Sequence, residues 1–430
     1  MTFRYTHVNK IKMHDFFYKG SELHCEAVPV SLIAKRLGTP FYLYSYSTLS
    51  RHLKVFDRAF NKYPHVICFA IKACSNLAIL RLYAREGAGA DVVSGGELFR
   101  SLKAGMEPKK IVYAGVGKTD EEILYALKKG ILMFNVESSE ELRAIDRIAK
   151  KAGKKARVAL RVNPDIDART HPYIATGLRD HKFGIPIEEA IENYRLARKL
   201  SNIEIVGIHK HIGSQLTEVS PFVDALNRIL ILVNELKAEG IGIKYINIGG
   251  GLGITYNDES PPHPEEFAKA ILPLVKDSGC TLILEPGRVL VGNAGILVTK
   301  VLYIKKTREK NFVIVDAGMN DLIRPTLYGA YQKIIPAKKR KDSTITADVV
   351  GPICESADFL AKDRKLSLPK EGDLMAVMSA GAYGFTMASN YNSRPRVPEV
   401  LVKGSRIFLI RERENYDDLI RGEKIPRFLE

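Results

Sequence analysis

The sequence predicts an α/β plus β protein: an eight-stranded parallel βα barrel of the TIM type with a second, mostly antiparallel β domain. Three observations carry this prediction. Eight short, β-branched apolar runs alternate with amphipathic helical patterns through the middle of the chain. After about residue 295 strand-like runs continue with no helical run of comparable length between them. The 430 residues, 46% apolar and 27% charged, suffice for one large barrel and a smaller companion.

Taken in order, residues 1–40 fit neither pattern and are expected to join the β domain. Phe41–Tyr44 is expected to pair there too, although 41–295 is assigned to the barrel as a whole, and Ser47–Asn61 reads as a helix. The barrel strands are Val66–Ile71, Ala90–Val93, Ile111–Ala114, Leu132–Val136, Arg157–Val162, Ile205–His209, Tyr245–Ile248 and Thr281–Leu284. The helical segments between them include Thr119–Lys129, Ser138–Lys151, Glu188–Leu200, Pro221–Glu239 and His263–Asp277, with apolar residues at i, i+3, i+4. Thr119 and Ser138 begin acidic first turns, as helix N-caps do, and Gly130 and Gly240 stand where helices end. An open doubly wound sheet is the rival, but no GxGxxG follows an early strand. Within 296–430, strands are expected at Ile296–Ile304, Asn311–Val315, Ile345–Val350, Leu374–Met378, Glu399–Val402 and Arg406–Ile410.

Composition narrows the function classes. No apolar stretch reaches the roughly 18 residues of a membrane span, and the first residues hold no apolar signal core. Five scattered cysteines without a CxxC suit reduced thiols and a cytoplasmic location. Sixty-five Lys+Arg against forty-nine Asp+Glu give a net charge of +16. The one dense run, Lys338-Lys339-Arg340-Lys341, is short and lacks interleaved aromatics, so nucleic acid is not the expected partner. The excess favours anionic small molecules.

Barrel chemistry sits at the C-terminal ends of the strands. Strand one ends in Lys72, which follows an apolar run. Burial would lower its pKa and free an amine to attack a carbonyl. A lysine snorkelling from a strand end is the plain alternative. Asp91 closes strand two; Arg161 and Asn163 stand on strand five. His209 and His211 share one side of strand six, but no nearby carboxylate completes a metal site, and none is expected. One imidazole stacked on a flat cofactor suits the following glycine; a structural histidine would suit the position too. Strand seven runs into Gly249-Gly250-Gly251-Leu252-Gly253, a loop able to close backbone N–H groups around a phosphate. Strand eight ends in Glu285-Pro286-Gly287-Arg288, a carboxylate for a ring nitrogen and a guanidinium for an anion. Alone, that pair also reads as a surface ion pair. Together these groups meet the requirements of pyridoxal phosphate.

The motifs FAIKACSN, ADVVSGGEL, RVNPDID, ATGLRDHKFGI, HKHIGSQ, NIGGGLG, EPGR, RPTLYGAY, GPICESAD and GAYGFTMASNYNSRPR carry a family resemblance. In this order, over essentially the whole chain, they resemble the fold-type III pyridoxal-phosphate decarboxylases, and most closely the branch acting on diaminopimelate. The resemblance implies Lys72 as the Schiff-base lysine, Glu285 as the acid on the pyridine nitrogen and His211 as the stacked imidazole. Ser214, Gly250, Gly251 and the Gly287–Arg288 backbone would hold phosphate, with Tyr383 closing the site. Asp91 and Arg161 would support the lysine and the ring face. Arg288, Arg324 and Tyr328 would hold the substrate's distal carboxylate, with Tyr383 nearby. Glu355 would read the distal ammonium. Cys354 would return a proton to Cα, and it and Glu355 would come from a partner subunit in a homodimer with shared sites. In isolation Cys354 also reads as a small buried hydrophobe.

The implied reaction converts meso-2,6-diaminopimelate to L-lysine and CO2, the last step of lysine biosynthesis. Sister decarboxylases of ornithine, lysine, arginine or carboxynorspermidine are the nearest rivals; Arg324, Tyr328 and the CES context argue against them. A racemase on a similar barrel and a catalytically dead regulator on the same fold are more distant rivals.

Overall fold

The computed structural model describes residues 13–166, 182–340 and 343–429. Asp167, most of the ATGLRDHKFGI motif and Lys341 lie outside them.

Eight parallel strands form the barrel: His65–Ala70, Gly89–Val92, Ile111–Tyr113, Met133–Val136, Ala156–Asn163, Ile203–His209, Tyr245–Asn247 and Thr281–Leu284. Each pairs with its neighbour in sequence; the eighth pairs with the first and the fourth with the fifth, so the sheet closes. All eight fall within about two residues of their expected spans. The closed sheet decides against an open, doubly wound arrangement. The barrel interior is filled by Cys68, Val112, Met133, Ala159, Val206 and Ile283 from alternating strand positions.

The helices form where the sequence caps them. Thr119 and Glu122 make a reciprocal capping box that opens Asp120–Lys129, and Gly130 ends that helix in the left-handed conformation. Ser138 accepts from the Glu141 amide and opens Ser139–Lys151. The buried stripes Ile123, Ala126, Leu127 and Leu142, Ile145, Ile148 press on the outer face of the barrel.

The second sheet is mostly antiparallel. The long strand Gly295–Lys306 pairs with Asn311–Val315, Leu374–Val377 and Phe41–Ser45. Phe41–Ser45 also runs parallel to Glu399–Lys403. This strand therefore belongs to the second sheet, and the barrel begins with the helix Tyr46–Phe60, not at residue 41. Strands at Phe359–Ser367 and Ile334–Pro336 were not expected. Neither was the three-stranded meander over Phe16–Lys19, Glu22–Cys25 and Val28–Pro29. That meander packs Phe16, Leu23 and Val28 against Phe41, Ile296, Ala376 and Val400, in one core with the second sheet.

Candidate active site

A polar layer caps the apolar barrel interior at the C-terminal ends of the strands. Asp91, Asn135, Arg161, His209, Asn247 and Glu285 are all buried there. Glu285 is the hub. Its Oε1 accepts from Asn247 Nδ2 at 2.6 Å and from Asn135 Nδ2 at 3.1 Å. Its Oε2 lies 3.4 Å from His209 Nε2. Burial by itself would raise this carboxyl, but His209, Lys72 and the Asn247 hydrogen bond outweigh it. They hold Glu285 well below the usual carboxylate range. The result is a fixed, buried anion, suited to a cationic ring nitrogen.

Lys72 sits in the single 3₁₀ turn Ile71–Ala73 that follows strand one. Its Nζ donates to Asp91 Oδ2 at 2.7 Å, and about a third of the side chain (36%) is exposed while Asp91 is fully buried. Here the structure corrects the expectation of a lowered pKa. Burial does act downward, but Asp91, then Tyr383 and Glu285, outweigh it and raise the ammonium above its ordinary value. The position of the amine, not a depressed pKa, is what the fold supplies.

Around Lys72 lies a small cavity with about 310 Å³ of empty space. Its lining includes Lys72, His211, Ser214, Gly250, Gly251, Glu285, Gly287, Arg288 and Tyr383, residues that lie up to 311 positions apart in sequence. Burial first, then the positive charges of Arg161 and Lys72, push the His211 imidazole well below its ordinary pKa, so it presents a neutral ring. Gly249, at φ +68°, lies under that ring: a Cβ there would come 2.9 Å from His211 Nδ1. A Cβ on Gly250 would overlap the Glu285 carbonyl oxygen, and one on Gly287 would press on Ala70 and Ala73. Asp91 and Arg161 stand behind this lining. Arg161 donates to Glu137 Oε1 at 2.8 Å and stacks over Phe183, 4.7 Å from its centroid.

These features pass a test for pyridoxal phosphate. An amine faces a neutral imidazole and a desolvated carboxylate, and a side-chain-free glycine cradle lies beside a buried guanidinium.

Arg288 and Arg324 are both buried, and neither meets a carboxylate among the described residues. Arg288 donates to Tyr256 Oη at 2.6 Å and to Ser214 Oγ at 3.1 Å. The Arg324 guanidinium lies 4.4 Å from the centre of the Tyr256 ring. Tyr328 ends the short helix Arg324–Tyr328, one turn from Arg324. Cys354 and Glu355 do not join this group. Both are exposed on a loop where the Cys354 amide donates to Asn392 and Glu355 accepts from Tyr391 Oη at 3.1 Å. The reading of Cys354 as a buried hydrophobe is thereby corrected; the other four cysteines are buried.

Sequence reasoning missed Asn135, Asn247, Glu137 and Tyr256. The first two carried a signal: an asparagine within an apolar strand, as in FNV and YIN, needs a buried partner.

Residues 46–292 match the family model described as "Pyridoxal-dependent decarboxylase, pyridoxal binding domain". A diaminopimelate decarboxylase of Vibrio cholerae is 54% identical over 410 residues, 95% of this chain and 98% of that protein. That of Haemophilus influenzae is 52% identical over 409 residues, 95% of this chain and 98% of that protein. The chain belongs to the diaminopimelate decarboxylase family. Among solved structures, the Helicobacter pylori diaminopimelate decarboxylase complexed with L-lysine has a TM-score of 0.88 at 44% identity, covering 91% of this chain and 98% of that one. The M. jannaschii diaminopimelate decarboxylase in co-complex with L-lysine has a TM-score of 0.93 at 41% identity, covering 97% of this chain and 99% of that one. A lysine/ornithine decarboxylase of Vibrio vulnificus, at 20% identity and TM-score 0.76, shares the fold alone. No helix among the described residues is long and apolar enough to cross a membrane.

Proposed function

We infer that the chain decarboxylates meso-2,6-diaminopimelate to L-lysine and CO2 with pyridoxal 5'-phosphate as cofactor. The observation that carries the substrate is the pair of buried arginines that meet no carboxylate among the described residues beside the cofactor cavity. Two buried cations left unpaired are costly unless a ligand anion completes them. A substrate with a second, non-reacting carboxylate does so. The named relatives act in the same sense.

The cofactor, when bound, supplies an aldehyde for amines and an electron sink for the carbanion left by CO2. The chain's residues supply the rest. Lys72 is the amine that would hold the aldehyde, with Asp91 aiming it. Glu285 keeps the ring nitrogen protonated, held by Asn135, Asn247 and His209. His211 backs the ring. Ser214, Gly250, Gly251 and the Gly287–Arg288 backbone hold the phosphate, and Tyr383 closes the cavity. Arg288, Arg324 and Tyr328 hold the distal carboxylate, so the scissile carboxylate alone is left free to leave.

Cys354 and Glu355, the proton donor and the ammonium reader, serve the site of a partner subunit. Their exposure outside their own cavity supports a homodimer. So does the run of exposed apolar side chains Tyr416, Ile420, Ile425 and Phe428. The domain division follows: a cofactor-binding barrel, and a second domain carrying substrate and dimer residues. A cytoplasmic location fits the chemistry. The test is CO2 release from the cofactor-loaded protein, run on meso-diaminopimelate, L-lysine, L-ornithine and L-arginine. Release from the first alone supports the reading; release from a monocarboxylic amino acid overturns the roles of Arg324, Tyr328 and Glu355.

A further inference from the structure

One residue that no motif singled out bridges both arginines. Tyr256 lies in the loop after barrel strand seven and is only 6% exposed. Its hydroxyl accepts from Arg288 Nη1 at 2.6 Å, while its ring face carries the Arg324 guanidinium at 4.4 Å. Like charges brought together in a buried site repel. Burial first, and then the Arg288 charge among its neighbours, pushes Arg324 below its ordinary pKa. A neutral group must hold the two apart, yet aimed at one ligand, and a phenol does both. The π face attracts one cation and the oxygen accepts from the other.

The loop is itself braced. Glu259 Oε2 accepts from the Tyr256 amide at 3.0 Å and the Asn257 amide at 2.7 Å, and Thr255 Oγ1 donates to the Glu259 carbonyl at 2.8 Å. Gln215 clamps Ile254 from the strand-six loop through both its amide atoms. The backbone that carries the aromatic ring is thus held independently of either arginine.

We propose that Tyr256 is a positioning residue that sets the spacing of Arg288 and Arg324, and so selects substrates by their distal carboxylate. This rests on the functional reading above. L-Lysine keeps the distal carboxylate; 1,5-diaminopentane carries both amino groups and no carboxylate. A hydrogen bond to a charged group is worth roughly tenfold or more in affinity.

The test uses the cofactor-loaded protein and Y256F, which keeps the ring face and loses the acceptor. L-Lysine binding should weaken about tenfold, and 1,5-diaminopentane and cofactor binding should stay within about twofold. KM for meso-diaminopimelate should rise by more than kcat falls. Y256L, which removes both contacts, should weaken L-lysine further. Unchanged L-lysine affinity in Y256F overturns the proposal, and so does equal weakening of both ligands, which marks general damage. The two readings fail separately. Wild-type protein that neither binds L-lysine nor releases CO2 from meso-diaminopimelate overturns the function. Wild type that does both beside an indifferent Y256F overturns the role of Tyr256 alone.

Discussion

Burial and neighbouring charges act together on single side chains here, and which one sets the sign depends on what lies beside the group. Lys72 and Lys210 make the contrast. Both lie at the ends of barrel strands, but Lys72 has Asp91 beside it and Lys210 has no hydrogen-bond partner among the described residues. Lys210 is fully buried, with the Phe222 ring near its Nζ, at 5.4 Å. Burial pushes its pKa down to about 7, against 10.5 for a free lysine. A group with a depressed folded-state pKa binds more protons when unfolded, so stability rises with pH between about 7 and 10.5 and the full penalty applies below that window. K210M should therefore raise Tm at pH 7 by several degrees, with a gain that shrinks toward pH 10.5; a gain independent of pH would refute this account. For Lys72 the sign is opposite. Removing the Asp91 anion in D91N should lower the lysine's pKa, moving the acid limb of cofactor capture to lower pH, as read by absorbance during reconstitution. K72A should lose turnover by at least about 1000-fold while retaining its fold by circular dichroism.

At the scale of elements, the loop after strand seven has no room for side chains where it meets strand eight. G250A would force the Glu285 carbonyl to move, and with it the carboxylate that the strand carries. A cost of about 1–3 kcal/mol is expected, with a larger loss in cofactor affinity than in Tm; unaltered affinity would show the contact to be irrelevant. The eight barrel strands were legible because each is a buried, two-sided apolar run, which leaves a near-continuous signature. Lys72, His211, the glycine loop and Glu285 were legible because they interrupt or end such runs. Phe359–Ser367 was not. Four of its nine residues are charged, and only Leu360, Ala361 and Leu366 are buried, so its pattern reads as a loop. The meander at Phe16–Pro29 was missed for a related reason: strands of two to four residues are too short to show a period. Tyr256 was hidden differently. An aromatic residue in a polar loop signals nothing until the two arginines, 32 and 68 positions later, are seen to converge on it.

Over the whole molecule, the split between Lys72 in its cavity and Cys354 on the surface makes a prediction about assembly. K72A and C354A should each be inactive. Mixed as refolded or co-expressed chains, they should recover about a quarter of wild-type activity, because half the random dimers contain one intact site. No recovery would assign Cys354 to some other task.

The strand Phe41–Ser45 has a history as well as a place. One neighbour, Gly295–Lys306, and the other, Glu399–Lys403, are made long after it. On the ribosome the barrel sequence intervenes, so this fully buried strand leaves the exit tunnel with neither flank supplied. It is then a bare, apolar ribbon of the kind that recruits other chains. Nascent chains stalled near residue 398 should bind chaperones and aggregate more readily than those released at full length, since Glu399–Lys403, translated only after that point, covers one flank of Phe41–Ser45.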